Sequence, residues 1–191
     1  MQERIQPPER MTFEEFFAFV QTRPEEERWE LFDGEKVLQA SPTRWHQKIV
    51  GNVAFELGVI ERQGHSNWDV LPGLVVHDAN NPKSAPLPDI LVVPRSRENV
   101  NYTHDVIAAF EVLSPSTKKR DLTWKLRYYT GLATMQHYVV IAQDELLVRH
   151  FARADGWKER KLSDPSDVLA LAAITAGVPM TGIYRGTDIL A

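Results

Sequence analysis

A single glutamate interrupts a strongly apolar run, and this combination limits the folds that are open to the chain. Glu111 lies within VIAAFEVL, with apolar residues on both sides of it. Such a run is typical of a central strand that is buried on both faces of a sheet. Burying a polar group without a partner costs about 2–7 kcal/mol, so Glu111 needs a partner. The partner can be a Lys or Arg side chain, a proton held by a raised pKa, or a metal ion.

A second carboxylate, Asp89, opens the preceding apolar strand in the sequence PDILVV. An Asp that follows a Pro at the start of a strand is often only a cap or turn residue. Two carboxylates that enter neighbouring strands at one edge of a sheet are also suited to a hard divalent ion, which takes oxygen ligands, water and phosphate. Such an ion activates water and offsets charge on a phosphate group, so the pair points to phosphodiester hydrolysis.

The rest of the pattern predicts an α/β (α+β) fold with a mixed central β-sheet flanked by helices. We expect a flexible leader over residues 1–11 and a single domain over residues 12–191. The predicted elements of the N-terminal half are a helix capped by Thr12 and Glu15, a β-hairpin around Asp33-Gly34, a helix from Ser41-Pro42 to Gly64, strands within 66–78, 88–93 and 106–113, and a polar loop or short helical turn over 95–105. A helix over 117–132 and a strand over 135–144 follow, so a strand–helix–strand unit is expected around residues 107–142. A hairpin around Asp155-Gly156 and a short helix near Val168–Ile174, followed by irregular chain, complete the prediction.

Leu122, Leu126 and Tyr129 form the predicted inward stripe of the helix over 117–132, and Lys125 lies on this stripe or at its edge. A lysine that faces a protein core is unusual. Its side chain either extends past its neighbours to solvent, bonded to Asp121 one turn earlier, or reaches back to the carboxylates. In the second case its ammonium can orient water or stabilise charge on phosphate.

Other candidates also have two interpretations. His46 lies on the inward stripe of the second helix, and is either a satisfied core or cap histidine or a contact to the site or to phosphate. The basic residues Lys118, Lys119, Arg120 and Arg127 form either a solvated face or a local contact to DNA phosphates. The formal net charge is −4, so a general affinity for nucleic acid is not expected, and DNA binding requires a local basic surface or metal ions.

Composition and absent motifs exclude several classes of site. The sequence has no Cys, which rules out disulfides, thiolate catalysis and Cys-ligated zinc, and suits a reducing compartment. It contains no zinc-hydrolase histidine motif, no Gly-rich phosphate loop and no GxSxG. Neither a signal peptide nor a membrane-spanning segment is expected, so the predicted location is the cytoplasm.

The segments PDILVV, AAFEVLSPST and KKRDLTWKLRYYTGLATMQHYVV resemble the Uma family of restriction-endonuclease-like proteins, within the PD-(D/E)XK nuclease superfamily. The segments WELFDGE and SPTRWHQKIVGNVAFEL are similar to that family too, so the resemblance extends over residues 12–185. It implies a restriction-endonuclease-like core, a divalent-metal site and DNA endonuclease activity. Asp89 then takes the place of the motif Asp, and Glu111 that of the motif Glu.

The resemblance also assigns further residues and shows one departure. The superfamily pattern has a Lys two residues after the Glu, where this chain has Leu113, and Lys125 on the following helix is the replacement that it implies. Glu30 is similar to an acidic residue that such nucleases supply from the N-terminal part of the core, although a hairpin residue facing solvent is the alternative. The backbone carbonyl of Val112 is a further candidate metal ligand.

Two functions follow from these patterns. The first is a Mg²⁺- or Mn²⁺-dependent DNA endonuclease that uses Asp89, Glu111 and Lys125. The second is a catalytically degenerate nuclease fold that acts as a DNA-binding or protein-assembly module, which the displaced lysine and the acidic net charge favour. By analogy with enzymes that cut both strands of DNA, we also expect a homodimer.

Overall fold

The centre of the protein is a six-stranded mixed β-sheet. The computed structural model describes residues 10–64, 66–114 and 118–190, and the side chain of Lys118 lies outside this description. The strands are β1 (Trp29–Phe32), β2 (Glu35–Leu38), β3 (Trp68–Pro72), β4 (Val75–Val76), β5 (Ile90–Pro94), β6 (Tyr102–Thr103), β7 (Ala108–Val112), β8 (His137–Ile141), β9 (Val148–Ala152), β10 (Glu159–Leu162), β11 (Val168–Leu171) and β12 (Ala176–Pro179).

The helices lie on both sides of this sheet. They are α1 (Phe13–Val20), α2 (Arg44–Gln63), α3 (Lys118–Arg120), a π-helical turn (Asp121–Lys125), α4 (Leu126–Gly131), α5 (Met180–Ile183) and the 3₁₀ turns Arg153–Asp155, Ala172–Ile174 and Asp188–Leu190. Among the residues that the structure describes, no helix has the length and apolar character needed to cross a membrane. The predicted mixed sheet with flanking helices is confirmed.

The spatial order of the strands in the central sheet is β10-β9-β8-β7-β5-β3. Only β7 and β8 run parallel, and the other neighbours are antiparallel. A parallel pair requires a crossover connection, which is the helical segment 118–131. The predicted strand–helix–strand unit over residues 107–142 is therefore confirmed.

The alternation of side chains along β5 and β7 divides the core into two layers. On one face of the sheet, Ile90 and Phe110 pack against Ile49, Val53 and other residues of α2 and the C-terminal segment. On the opposite face, Leu91 packs in a second cluster, which includes residues of α4. Since Glu111 follows Phe110, it faces this second layer, on the side of the sheet that carries the helical segment 118–131.

The β1–β2 hairpin places Glu30 against the central sheet. Leu31 packs with Phe13 and Phe16 of α1, whose Thr12–Glu15 capping box is confirmed. Glu30 points away from Leu31, because neighbouring residues of a strand face opposite sides. It is 0% exposed, so the solvent-facing alternative for Glu30 is wrong.

Two local predictions are wrong in informative ways, and a third holds with one modification. Residues 168–171 were expected to be helical but form a strand, which pairs with β12. Leu169 and Leu171 are buried in alternation with exposed neighbours, and this packing prevails over the helix propensity of an Ala-rich segment. The polar segment 95–105 contains the strand β6, which pairs with β4. The helix predicted over 117–132 is interrupted by the π-helical turn, and residues 115–117 lie outside the described residues.

The predicted boundary between the leader and the domain lies between residues 11 and 12, close to the first residue that the structure describes. Of the predicted flexible leader, residues 1–9 lie outside the described residues. Met11 is described, and its N–H donates to the carbonyl of Gly34 at 3.0 Å.

Candidate active site

Lys125 lies at the centre of a buried cluster of carboxylates. Its Nζ is 2.8 Å from Oε1 of Glu30 and 2.8 Å from Oε1 of Glu111. Oδ1 of Asp121 lies 3.6 Å from the same Nζ. The side chain of Lys125 is only 2% exposed, so the alternative that it extends to solvent is wrong.

Three separate elements bring these groups together. Glu30 comes from β1, Glu111 from the central strand β7, and Asp121 and Lys125 from the π-helical turn. Side chains four residues apart lie on the same side of a helix, and the wider π-helical turn preserves this relation. Asp121 and Lys125 consequently share the buried side of the segment, whereas Leu122, expected to face inward, is only half-buried.

Hydrogen bonds fix the carboxylates of this cluster. Oε1 of Glu30 accepts from the backbone N–H of Leu87 at 2.9 Å, and Oε1 of Glu111 accepts from the hydroxyl of Tyr129 at 3.3 Å. Arg120 approaches the other oxygen of Glu30 at 3.8 Å, with its guanidinium 4.5 Å from the ring centre of Phe32. Within the described residues, carboxylates therefore outnumber cations around Lys125.

Burial and this excess of negative charge determine the protonation properties of the cluster. Burial raises the pKa of Glu111 well above its usual range. The charge of Lys125 opposes that shift, and the carboxylates of Asp121, Asp89 and Glu30 add to it. Burial lowers the pKa of Lys125, but the surrounding carboxylates outweigh burial and hold that pKa above its usual value. The carboxylates accordingly favour the protonated form of Lys125, and the raised pKa of Glu111 shows that its charged form requires positive charge nearby.

Asp89 lies at the open end of the same site and is held by two donors. Its Oδ2 accepts from the backbone N–H of Val112 at 2.8 Å and lies 3.3 Å from Nε2 of His46. Burial alone raises the pKa of Asp89, but the hydrogen bond and charge of His46 and the Val112 N–H outweigh it, and the pKa is lowered. Of the two interpretations of His46, the structure supports the contact to the site.

Asp89 and Glu111 line one cleft of about 170 Å³. The other walls include Val112, Ser114 and Lys125. Among the described residues, no group of three or more His, Asp or Glu side chains is arranged to hold a metal ion. Mg²⁺ commonly takes only one or two carboxylates and completes its shell with water and substrate phosphate, so the donors present fit a hard divalent ion.

The predicted basic residues differ in their surroundings where the structure describes them. Arg120 is engaged by Glu30 and Phe32, while Lys119 is exposed. The side chain of Lys118 lies outside the described residues. The structure thus brings together the carboxylates, Lys125 and His46, but gives Arg120 a structural contact within the buried cluster.

Two polar residues of the site were missed from the sequence. The helical spacing places Tyr129 on the inward stripe, and a buried tyrosine hydroxyl needs a hydrogen-bond partner. Here the Tyr129 hydroxyl donates to Glu111. Arg28 lines the cleft and lies two residues before Glu30, so the alternation of the hairpin places both on one face. That alternation could have identified Arg28 as soon as Glu30 was considered.

Comparisons with known proteins identify the family and the fold of the chain. The model of the Uma2 family, described as "Putative restriction endonuclease", matches residues 13–181. A crystal structure described as a "putative nuclease belonging to DUF820" from Anabaena variabilis ATCC 29413 is similar in fold. Its TM-score is 0.74 and its sequence identity 16%, over 91% of this chain and 97% of that chain. No curated protein matches the sequence. The predicted restriction-endonuclease-like fold is confirmed, and the chain belongs to the Uma2 family.

Proposed function

We propose that this protein is a divalent-metal-dependent endonuclease that hydrolyses phosphodiester bonds in DNA. The observation that carries the proposal is the meeting of Asp89 and Glu111 in one cleft, with Lys125 fixed against Glu111. The family described as "Putative restriction endonuclease" and the fold shared with a protein described as a "putative nuclease" support the same reaction class.

In this proposal Asp89, Glu111 and the backbone carbonyl of Val112 hold Mg²⁺ or Mn²⁺. The ion supplies a more acidic water and positive charge beside the phosphate group. The burial of Glu111 and the excess of carboxylates support this assignment, because both raise the pKa of Glu111 and a further cation beside it offsets them. His46 orients the Asp89 carboxylate from the opposite wall of the cleft.

Lys125 takes the part of the lysine that is missing at position 113. Glu30 and Asp121 hold its side chain in place and keep it protonated, so its ammonium remains a donor at the edge of the cleft. A fixed positive charge there stabilises the charge that develops on a phosphate during hydrolysis. We assign contacts with the flanking DNA backbone to Lys118 and Lys119, with Arg120 contributing only its partly exposed edge.

A cleavage assay tests the proposal. Purified protein is incubated with supercoiled plasmid DNA and Mg²⁺ or Mn²⁺, and nicked and linear products are measured against a chelator control. Asp89→Asn and Glu111→Gln are expected to lower the rate by a factor of about 100 or more. Glu98→Gln, a matched change at an exposed position, should cleave like the wild type. Equal rates for all of these proteins would contradict the proposal.

The alternative is a nuclease fold that binds DNA or assembles with proteins without cleaving DNA. Leu113 at the usual lysine position is the observation that favours it. DNA binding without metal-dependent cleavage, unchanged in Asp89→Asn, would support this alternative. The homodimer, the single domain over residues 12–191 and the cytoplasmic location stay predictions, and light scattering of the purified protein tests the first.

A further inference from the structure

We propose that Arg28 binds a phosphate group of the nucleic-acid backbone beside the metal-binding carboxylates, as a substrate-positioning residue. This inference rests on the proposed function. Arg28 lines the same cleft as Asp89 and Glu111. No motif of the sequence and no comparison assigns it a role.

The hairpin directs Arg28 toward the site. The carbonyl of Arg28 accepts a hydrogen bond from the N–H of Gln39 at 2.8 Å, which extends the β1–β2 ladder by one pair. Residues two apart on a strand share a face, so Arg28 lies on the face that carries Glu30. Glu30 reaches the buried lysine, and Arg28 reaches the cleft beside it.

The guanidinium of Arg28 is held in one orientation before any substrate binds. Its Nε donates to Oε1 of Gln39 at 3.0 Å, and the amide of Gln39 in turn donates to the carbonyl of Leu87. On the other side, a Cβ added to Gly73 would lie 3.3 Å from Nη1 of Arg28, so only a residue without a side chain lets the guanidinium lie this close without displacement. A fixed guanidinium loses little conformational entropy when it binds an anion.

Arg28 also has donor capacity that the protein does not use. Its Nη2 is buried and has no hydrogen-bond acceptor among the described residues. A buried donor without an acceptor carries a desolvation cost that an entering anion would remove. Lys125, the other fixed cation of the cleft, is already surrounded by carboxylates. Phosphate oxygens match the planar fork of a guanidinium, and nucleic-acid backbones supply them next to a scissile bond.

DNA binding at several salt concentrations tests this inference. A short fluorescent DNA duplex is titrated with the full chain in Ca²⁺, and the measurement is repeated with Arg28→Gln and Arg28→Lys. Arg62→Gln is the matched control, because Arg62 lies in the last turn of α2, at the other end of that helix from the cleft. Thermal melting of each variant shows that it is folded.

We expect Arg28→Gln to weaken binding by about ten-fold or more. Its plot of log affinity against log salt should have a slope smaller by about 0.7–0.9, the signature of one lost phosphate contact. Arg28→Lys, which keeps the charge but lacks the fork, should retain the salt slope and lose part of the affinity. If Arg28→Gln does not fold, loss of affinity in Arg28→Lys at an unchanged slope still supports the proposal.

Two results would overturn the inference, and they can be distinguished. If the wild type binds and cleaves DNA and both Arg28 variants match Arg62→Gln in affinity and salt slope, Arg28 does not bind phosphate, while the proposed nuclease function stands. If the wild type neither binds nor cleaves DNA with any divalent metal, the proposed function fails and the inference fails with it.

Discussion

Two buried polar clusters lie on opposite faces of the central sheet, and they offset the desolvation cost of their ionisable groups in different ways. On one face, Glu30, Glu111 and Asp121 surround Lys125. On the other, His137 and His150 form a pair in which Nδ1 of His137 lies 3.0 Å from Nε2 of His150. Both clusters lie among apolar side chains, but only the first is charged.

The histidine pair is satisfied as two neutral rings. Nε2 of His137 accepts from the backbone N–H of Ala173 at 3.2 Å, and burial lowers the pKa of both histidines. Burial followed by neutralisation is the ordinary outcome for an ionisable group in a core. The carboxylate cluster instead retains the charge of Lys125, and the neighbouring carboxylates of Asp121, Asp89 and Glu30 repel that of Glu111. This difference leads us to assign function to the first cluster and structure to the second.

The largest expected effect comes from removing the cation of the charged cluster. Lys125→Met leaves buried carboxylates without their ammonium, and should lower the free energy of unfolding by about 3–5 kcal/mol. Urea denaturation at neutral pH measures it. The double variant Lys125→Met/Glu111→Gln should recover part of the loss, since one uncompensated charge is then removed. A decrease in the free energy of unfolding below about 1 kcal/mol for Lys125→Met, as for an exposed ion pair, would show that the ammonium does not compensate the buried carboxylates.

The neutral pair predicts a smaller effect that depends on pH. Burial lowers the pKa of His150 from 6.5 to about 4, and His137 acts in the same direction. Because the folded protein disfavours protonation of His150, the neutral ring contributes to the free energy of unfolding. This contribution is complete above pH 6.5 and is lost as the pH falls toward 4.

The loss amounts to about 2 kcal/mol after allowance for partial screening. Urea denaturation at a series of pH values compares the wild type with His150→Gln, whose stability should fall less steeply over this interval. Identical pH dependence in the two proteins would show that His150 is not the titrating group.

A still smaller effect concerns the hydroxyl that touches Glu111. Tyr129→Phe removes this donor while Lys125 still holds the carboxylate, so the expected loss of stability is about 1 kcal/mol. Thermal melting at neutral pH is sufficient to measure it. A loss as large as that of Lys125→Met would mean that the hydroxyl, rather than the ammonium, is the main partner of Glu111.

The smallest change in stability is expected for Glu111→Gln. Lys125 keeps Glu30 at 2.8 Å and Asp121 at 3.6 Å in this variant, and one of the repelling carboxylates disappears. We therefore expect a stability within about 1 kcal/mol of the wild type, or slightly above it, together with loss of metal-dependent cleavage. If the variant instead unfolds as easily as Lys125→Met, Glu111 is a structural ion-pair partner.

The sequence predicted the framework of this site because burial patterns are local. Glu111 within an apolar run identified a central strand with a polar requirement, and the helical spacing placed Lys125 on an inward face. The sequence could not show which face of β1 Glu30 occupies. Both Glu30 and its neighbour Leu31 are buried, so this four-residue strand lacks the alternation of buried apolar and exposed polar residues that identifies an inner face. The π-helical turn has no signal of its own in the sequence. The C-terminal strands were missed because an Ala-rich segment has helix propensity and its partner strand lies farther along the chain.

Calorimetric titration of the metal-free protein with Mn²⁺ tests most directly whether Asp89 and Glu111 form a metal site. We expect saturable binding that Asp89→Asn and Glu111→Gln abolish and His150→Gln leaves unchanged, because the charged cluster borders the cleft and the histidine pair does not. Binding that survives both carboxylate changes, or no binding even with a short DNA duplex present to complete the coordination shell, would contradict the assignment of Asp89 and Glu111 as the metal site.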